Sequence, residues 1–265
     1  MLERLRSLRR PRIAVFKFTS CDGCQLSILD CEEELLRLAE VTEIAFFAEA
    51  SSDYRPGPYD VAFVEGSVST PEEVERTREI RSLAGYLIAF GVCATAGGIQ
   101  ALRNFGDPER MKSMVYPRPE LLSTLPASTP HSAHVVVDFE IQGCPPNRVQ
   151  ILDVVAQLLA GMTPRLPGYS VCLECKRRGN ICVLVARGLP CMGPVTHDGC
   201  GALCPGYHRA CYACFGPMDD PKPERFAWEF ELRGIPGEEI VRRFQEITAG
   251  TEPFIRGVER YRKGG

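Results

Sequence analysis

The chain has 265 residues, of which 45% are apolar and 25% are charged, and its formal net charge is −3. This length suits one large domain or two modest ones, and the slightly acidic balance gives no support to nucleic-acid binding, which is typical of proteins with a basic face. No apolar run approaches the ~18 residues that a membrane span requires, so we expect no membrane span.

The N-terminal segment carries a twin arginine, Arg9-Arg10, which is a feature of some export signals. An export signal would also need an apolar segment and a small-residue cleavage site before the mature domain. Here the arginines lead almost directly into an apolar run that starts at Ile13. We interpret the segment as the basic tip of a first strand and expect a cytoplasmic chain, in which thirteen cysteines indicate metal or redox chemistry rather than disulfides.

Short apolar runs alternate with helical patterns through the first part of the chain. Such runs are typical of parallel strands that are buried on both faces. Helical patterns cover 25–39, a capped segment that begins at Thr70-Pro71, and 147–160. The alternation predicts an α/β fold with a flavodoxin-like open parallel sheet. The predicted strands are 12–18, 42–48, 60–65, 86–92 and 135–141.

A stretch rich in proline and glycine at 162–171 predicts a boundary between a first domain, 1–163, and a smaller irregular domain, 164–265. Beyond the boundary the apolar periodicity disappears until a predicted helix at 236–248. A core alone is therefore not expected to hold the second domain together, and bound metal can supply the folding energy. Residues 104–134 are predicted to form a surface excursion, with His131 and His134 as surface residues.

Four cysteines follow three of the predicted strands. Cys21 and Cys24 come after the first strand, Cys93 after the fourth and Cys144 after the fifth. Open α/β sheets bind ligands at the carboxyl ends of their strands, so these thiols suit a tetrahedral sulfur site for either a zinc ion or a cubane iron–sulfur cluster. The alternative is that Cys93 and Cys144 are small buried core residues.

A second group of eight cysteines lies between Cys172 and Cys214, in a stretch that begins and ends with a Cys-x-x-Cys pair. No ordinary packed core needs so many sulfurs. Cysteine–proline and cysteine–glycine steps favour iron, although Cys-x-x-Cys pairs also bind zinc. The stretch is therefore predicted to bind metal.

Three ordered motifs resemble the small subunit of nickel–iron hydrogenases. They are CDGCQ at 21–25, GVCATAGGIQALRN at 91–104 and IQGCPPN at 141–147, and VEGSV at 64–68 is similar to a further loop of that family. The resemblance covers the chain to about residue 217. It implies a proximal [4Fe-4S] cluster that faces the nickel–iron centre of a separate large subunit. The implied proximal ligands are Cys21, Cys24, Cys93 and Cys144.

By position, the same resemblance implies two further [4Fe-4S] clusters, which makes three in the chain. Cys172 stands where many members have histidine, and Cys204 stands where many have proline and a three-iron cluster. More thiolate and a full cubane favour lower reduction potentials. The implied distal ligands are Cys172, Cys175, Cys182 and Cys191, and the implied medial ligands are Cys200, Cys204, Cys211 and Cys214.

The all-cysteine pattern resembles the cytoplasmic, bidirectional hydrogenases, and most of all the sulfhydrogenase delta subunit and the small subunit of NAD(P)-linked hydrogenases. This implies an oxidoreductase acting on H2 in which this chain has no catalytic residue and conducts electrons from the large subunit toward iron–sulfur and flavin/NAD(P)-binding diaphorase subunits. The alternatives are a stand-alone ferredoxin-like carrier and a zinc-binding interaction module. The related quinone-reductase subunit of respiratory complexes shares the fold but lacks the Cys-x-x-Cys opening and these C-terminal cysteines.

Overall fold

The computed structural model describes residues 9–262 and divides the chain into two compact units. Of the described residues, unit one comprises those through Ile141 together with Pro145–Leu166, and unit two comprises Gln142–Cys144 and those from Pro167 onward. The division thus follows Leu166, whereas the sequence places the boundary after residue 163. Residues 1–8 of the predicted basic tip lie outside the described residues.

Unit one is built on five strands that form a single parallel sheet. The strands are β1 (Arg12–Lys17), β2 (Glu43–Phe47), β3 (Tyr59–Glu65), β4 (Ala84–Phe90) and β5 (Phe139–Ile141). Their order in the sheet is β2-β1-β3-β4-β5, which is the flavodoxin-like order with a switch point between β1 and β3. The predicted α/β fold with an open parallel sheet is confirmed.

Both faces of the sheet are buried. Neighbouring residues of each strand point to opposite sides, and both sets of side chains pack in apolar clusters. On one face Ile13 and Val15 of β1 belong to an apolar cluster, and on the other face Ala14 and Phe16 belong to a second cluster. The helices of unit one are α1 (Gly23–Leu29), α2 (Glu33–Val41), α3 (Pro71–Leu83), α4 (Val92–Ala96), α5 (Pro108–Val115) and α6 (Arg148–Leu159).

Local capping accounts for the two helices of unit one that the sequence predicts best. The Thr70 side chain accepts a hydrogen bond from the Glu73 backbone N–H at 3.2 Å, and the Glu73 carboxylate accepts one from the Thr70 backbone N–H at 3.2 Å. The Asn147 side chain accepts from the Val149 N–H at 2.8 Å and begins α6. Both helices therefore start where their caps predict.

Two predictions for unit one are wrong in part. The pattern at 25–39 forms two helices, because Glu32 has a φ of 45° and interrupts the chain between α1 and α2. The segment 104–134 is a surface excursion only in its first part, since Ser128 is 2% exposed and His131 is fully buried. The ring of His131 lies 3.1 Å from the Gly66 carbonyl and 3.2 Å from the Thr77 hydroxyl. His131 is thus a core residue.

Unit two has an apolar core of its own, although the sequence shows little apolar periodicity there. Phe226, Phe230, Ile240, Phe244 and Phe254 are buried together, and residues of the cysteine-rich stretch belong to the same cluster. The helices are α7 (Val171–Arg177), α8 (Val183–Arg187), α9 (Leu203–Gly206), α10 (Pro223–Leu232), α11 (Gly237–Phe244), α12 (Glu252–Gly257) and α13 (Glu259–Arg262).

Four short 3₁₀ segments complete the described structure, at Gly98–Phe105, Pro119–Leu121, His131–Ala133 and Gly193–Val195. Of the helices within residues 9–262, none combines the length and the apolar character needed to cross a membrane.

Candidate metal centres

The first candidate ligands follow β1. Cys21 lies in the loop before α1 and is exposed, whereas Cys24 lies in the first turn of α1 and is buried. A side chain at the intervening Gly23 would place its Cβ 3.5 Å from the Cys21 sulfur, which is an ordinary contact. Both cysteines therefore lie in the segment that directly follows the carboxyl end of β1.

Cys93 is held by a backbone that passes close to its sulfur. A Cβ added at Gly98, whose φ is +60°, would lie 2.5 Å from the Cys93 sulfur and 2.9 Å from its Cα, so only glycine fits there. The Cys93 sulfur lies 3.3 Å from Oε1 of Gln100, and Nε2 of Gln100 donates to the Thr19 carbonyl at 3.1 Å. Gln100 thus links Cys93 in α4 to the loop after β1.

A buried carboxyl group lies at the carboxyl end of β3. Glu65, the last residue of β3, is 1% exposed and accepts a hydrogen bond from Nε2 of Gln25 at 2.7 Å. Burial raises the pKa of Glu65, and the bond from Gln25 opposes that rise. Gln25 and Gln100 belong to the CDGCQ and GGIQ motifs, but sequence reasoning assigned no role to either. The sequence indicates them only through their membership of motifs that also contain candidate ligands.

Cys144 follows β5 and belongs to unit two. It is exposed, and Cys93 is half-buried, so the alternative of two small buried core residues is wrong. Within unit two, Cys144 lies in electrostatic range of Cys214.

The four predicted distal cysteines line one cavity in unit two. The cavity has a volume of about 30 Å³, and apart from the thiols its wall is apolar, glycine or proline. A Cβ added at Gly193 would lie 3.5 Å from the sulfurs of both Cys172 and Cys191. The structure therefore brings together the cysteines that the resemblance groups, namely Cys172, Cys175, Cys182 and Cys191.

The thiols of this cavity oppose one another's ionisation. Burial, together with the neighbouring thiols of Cys191, Cys175 and Cys182, raises the pKa of Cys172 to about 11. Burial also raises the pKa of Cys191, whereas the N–H group of Cys211, which donates to the Cys191 sulfur at 3.2 Å, lowers it. Four thiolates need a compensating cation, so binding of a metal centre by these thiols would release protons.

The predicted medial cysteines lie close to one another in the same unit. Burial raises the pKa of Cys214 to about 12, and Cys200 and Cys204 contribute to that rise. Cys211 is buried, lies in range of Cys191 and Cys214, and its sulfur accepts the Ala213 N–H at 3.4 Å. Cys204, the departure from many family members, thus stands beside the other candidate medial ligands.

The donor set fits an iron–sulfur cluster. The groups that meet at these sites are thiols, which are the ligands that such clusters prefer. Backbone N–H groups point at the sulfurs of Cys191 and Cys211, as expected of partners that tune a cluster. Within the part of the chain that the structure describes, no three His, Cys, Asp or Glu side chains are grouped so as to hold a single metal ion.

Comparison with known proteins shows similarity to hydrogenase subunits. The chain is 38% identical to the sulfhydrogenase 2 subunit delta of Pyrococcus furiosus over 88% of this chain and 98% of that protein. It is 31% identical to an F420-non-reducing hydrogenase vhu subunit of Methanocaldococcus jannaschii over 78% and 82%. It is 30% identical to the NAD-reducing hydrogenase HoxS subunit delta of Cupriavidus necator over 59% and 82%.

Solved structures agree with the sequence relatives. An NAD⁺-reducing [NiFe]-hydrogenase in the H2-reduced state matches with a TM-score of 0.55 and 34% identity, over 60% of this chain and 96% of that one. An actinobacterial-type NiFe-hydrogenase from Ralstonia eutropha H16 matches with a TM-score of 0.59 over 97% and 91%, and at 16% identity this likeness shows the fold alone.

The pattern of the family described as NADH ubiquinone oxidoreductase, 20 Kd subunit, matches residues 21–158, which include the four candidate proximal ligands. Together with the relatives above, this confirms the resemblance to small subunits of nickel–iron hydrogenases that the motifs indicate. The chain belongs to the NADH ubiquinone oxidoreductase 20 Kd subunit family, close to its sulfhydrogenase delta and NAD-reducing hydrogenase members.

Proposed function

We propose that the chain is the electron-transfer small subunit of a nickel–iron hydrogenase and that it binds three [4Fe-4S] clusters. The observation that carries the proposal is the thiol-lined cavity of unit two, in a chain whose relatives are hydrogenase subunits. Hydrogen is activated at the nickel–iron centre of a large subunit, so this chain contributes no catalytic residue.

The twelve proposed ligands form three sets of four, and the clusters would supply one-electron conduction between the large subunit and an external acceptor. The proximal set is Cys21, Cys24, Cys93 and Cys144. The distal set is Cys172, Cys175, Cys182 and Cys191. The medial set is Cys200, Cys204, Cys211 and Cys214.

The other residues of these sites hold the ligands and adjust the charge around them. Gly98 and Gln100 contact Cys93 and hold it in place. Gln25 of α1 donates a hydrogen bond to the buried Glu65. N–H groups such as that of Cys211 withdraw electron density from the sulfur they contact, which raises a potential, whereas an additional thiolate such as Cys204 lowers it.

The acceptor that we propose is an NAD(P)-linked diaphorase with iron–sulfur and flavin subunits. Support comes from the similarity to a protein named as a subunit of an NAD-reducing hydrogenase. An NAD(P)-linked partner would place the complex in the cytoplasm.

Anaerobic purification of the chain with its large subunit tests the proposal. We expect a brown complex with about twelve iron and twelve sulfide per small subunit, and H2-dependent reduction of NAD(P) when the diaphorase is present. A colourless protein that contains zinc would overturn the proposal. A complex that contains the iron but does not exchange hydrogen with deuterium would favour a stand-alone carrier.

A further inference from the structure

A buried threonine, Thr196, lies between candidate distal and medial ligands of unit two. Thr196 is 1% exposed, and its hydroxyl donates a hydrogen bond to the Met192 carbonyl at 2.6 Å. The sulfur of Cys211 lies 3.7 Å from the same hydroxyl oxygen, and in the free thiol it donates to that oxygen. The Thr196 side chain therefore contacts a candidate medial ligand and the residue that follows the candidate distal ligand Cys191.

Backbone hydrogen bonds fix this arrangement. The Thr196 carbonyl accepts from the N–H of Val171 at 2.9 Å, and Val171 directly precedes the candidate distal ligand Cys172. The N–H of Cys211 donates to the sulfur of Cys191 at 3.2 Å. The Thr196 hydroxyl thus has a defined position relative to both proposed sets of ligands.

The contact between Thr196 and Cys211 changes its donor when the cysteine binds metal. A metal-bound cysteine is a thiolate, which accepts hydrogen bonds and has no proton to donate. The hydroxyl carries one proton, and a charged acceptor makes the stronger hydrogen bond. Rotation of this proton away from Met192 leaves no orphaned carbonyl, because the Met192 carbonyl also accepts from the N–H of Val195 at 3.1 Å.

We propose that Thr196 is a positioning residue of the medial site, whose hydroxyl donates to the ligated sulfur of Cys211 and raises the reduction potential there. The inference rests on the proposed function, because it assumes a cluster on Cys211. Reduction adds one negative charge, so a hydrogen bond to sulfur stabilises the reduced state more than the oxidised state. Cys211 is only 5% exposed, so water competes little for this sulfur.

A redox titration of the intact hydrogenase complex, followed by EPR, tests the role of Thr196. Thr196→Val keeps the branched shape and removes the hydroxyl. We expect the medial equilibrium to shift about tenfold toward the oxidised state, which is a fall of about 59 mV for one electron. Thr196→Ser restores a hydroxyl and should stay within about twofold of the wild type. Cys204→Ser replaces another proposed medial ligand and so identifies the medial signal.

Thr248→Val is the matched control. Thr248 is also 1% exposed, and its hydroxyl donates to the carbonyl of Ala213 at 3.0 Å. Ala213 lies between the proposed medial ligands Cys211 and Cys214 in the sequence. The control therefore removes a buried hydroxyl that is bonded to a carbonyl rather than to a sulfur, and it should change the medial equilibrium by less than about twofold.

The outcomes separate this inference from the proposed function. A wild-type complex without iron and sulfide would contradict the proposed function itself. In a complex that holds its clusters, an unchanged medial potential in Thr196→Val would overturn the role of Thr196. A fall that Thr196→Ser fails to reverse, or an equal fall in Thr248→Val, would overturn it too. If Thr196→Val fails to assemble, Thr196→Ala takes its place with the same expected fall, because its smaller side chain cannot overpack the site.

Discussion

At the scale of single residues, the sharpest constraint is the space over Cys93. We expect Gly98→Ala to disrupt the proposed proximal site, because the new Cβ would lie 2.5 Å from the Cys93 sulfur. The variant complex should lose about four of the twelve irons that we propose, as measured by iron analysis. Gly234→Ala is the control, since Gly234 has a φ of +77° with no atom within 4 Å of an added Cβ, and it should keep all its iron. Equal losses would show that backbone strain alone explains the effect.

The proposed order of the three sites also makes a prediction for single cysteines. Cys21→Ala removes a proposed ligand of the proximal site, which would face the large subunit, so it should abolish hydrogen turnover with every acceptor. Cys191→Ala removes a wall of the distal cavity, so it should impair NAD(P) reduction more than hydrogen–deuterium exchange, which needs no external acceptor. Both activities should be measured on the same assembled complexes. If Cys191→Ala lowered both equally, the assignment of cysteines to sites would be wrong.

At the scale of elements, the capping box of α3 makes a measurable contribution to stability. Thr70→Ala removes the hydroxyl that accepts the Glu73 N–H, and losing such a cap costs about 1 kcal/mol. The melting temperature should fall by roughly 2–4 °C for a protein of this size. Thr163→Ala, at an exposed position outside any helix or strand, should change it little. An equal fall in both variants would mean that the cap contributes nothing.

The elements that the sequence predicts correctly are those whose signals are local. β1 to β4 follow from continuous apolar runs, and α3 and α6 follow from their caps. The break at Glu32 could not be predicted, because leucines continue at helical spacing on both sides of it. The burial of His131 depends on contacts with Gly66 and Thr77, which lie far away in the sequence. Such contacts exist only once the sheet has formed.

His131 gives the fold a pH dependence. Burial lowers its pKa from 6.5 to about 3, so below about pH 6.5 the unfolded chain binds a proton that the folded chain does not. Stability is therefore complete above pH 6.5 and falls as the pH drops toward 3, by about 1 kcal/mol between pH 7 and 5.5. The difference in melting temperature between the wild type and His131→Gln should shrink over that interval. A constant difference would show that His131 titrates normally when folded.

At the scale of the whole molecule, the sequence predicts the position of the cysteines more fully than the fold around them. The family resemblance groups four cysteines as the candidate distal ligands, and in the structure their thiols line one cavity. The residues that hold the candidate ligands in place could not be predicted. Gln100, for example, donates a hydrogen bond to a carbonyl that lies eighty-one positions away in the chain. The core of unit two was missed because its phenylalanines lie on several short helices, where no single segment shows a long periodic pattern.

Because unit two has this aromatic core, we expect iron removal to unfold only part of the unit. Phe244 contacts Phe254 with ring centroids 5.5 Å apart and Phe230 at 6.5 Å, so α10, α11 and α12 pack on one another without any thiol between these rings. After iron is chelated from the complex, we expect these helices to keep their protection in hydrogen exchange while residues 171–217 lose theirs.

Phe230→Ala provides the matched comparison for this prediction. Truncating a fully buried phenylalanine costs about 3–5 kcal/mol, so α10 to α12 should lose protection in this variant even with iron bound. If chelation instead exposed the helices and the cysteine-rich stretch of the wild type together, then metal would hold unit two as the sequence alone suggests. Retained helices would show that the aromatic core is stable without iron and can support the cysteine-rich stretch.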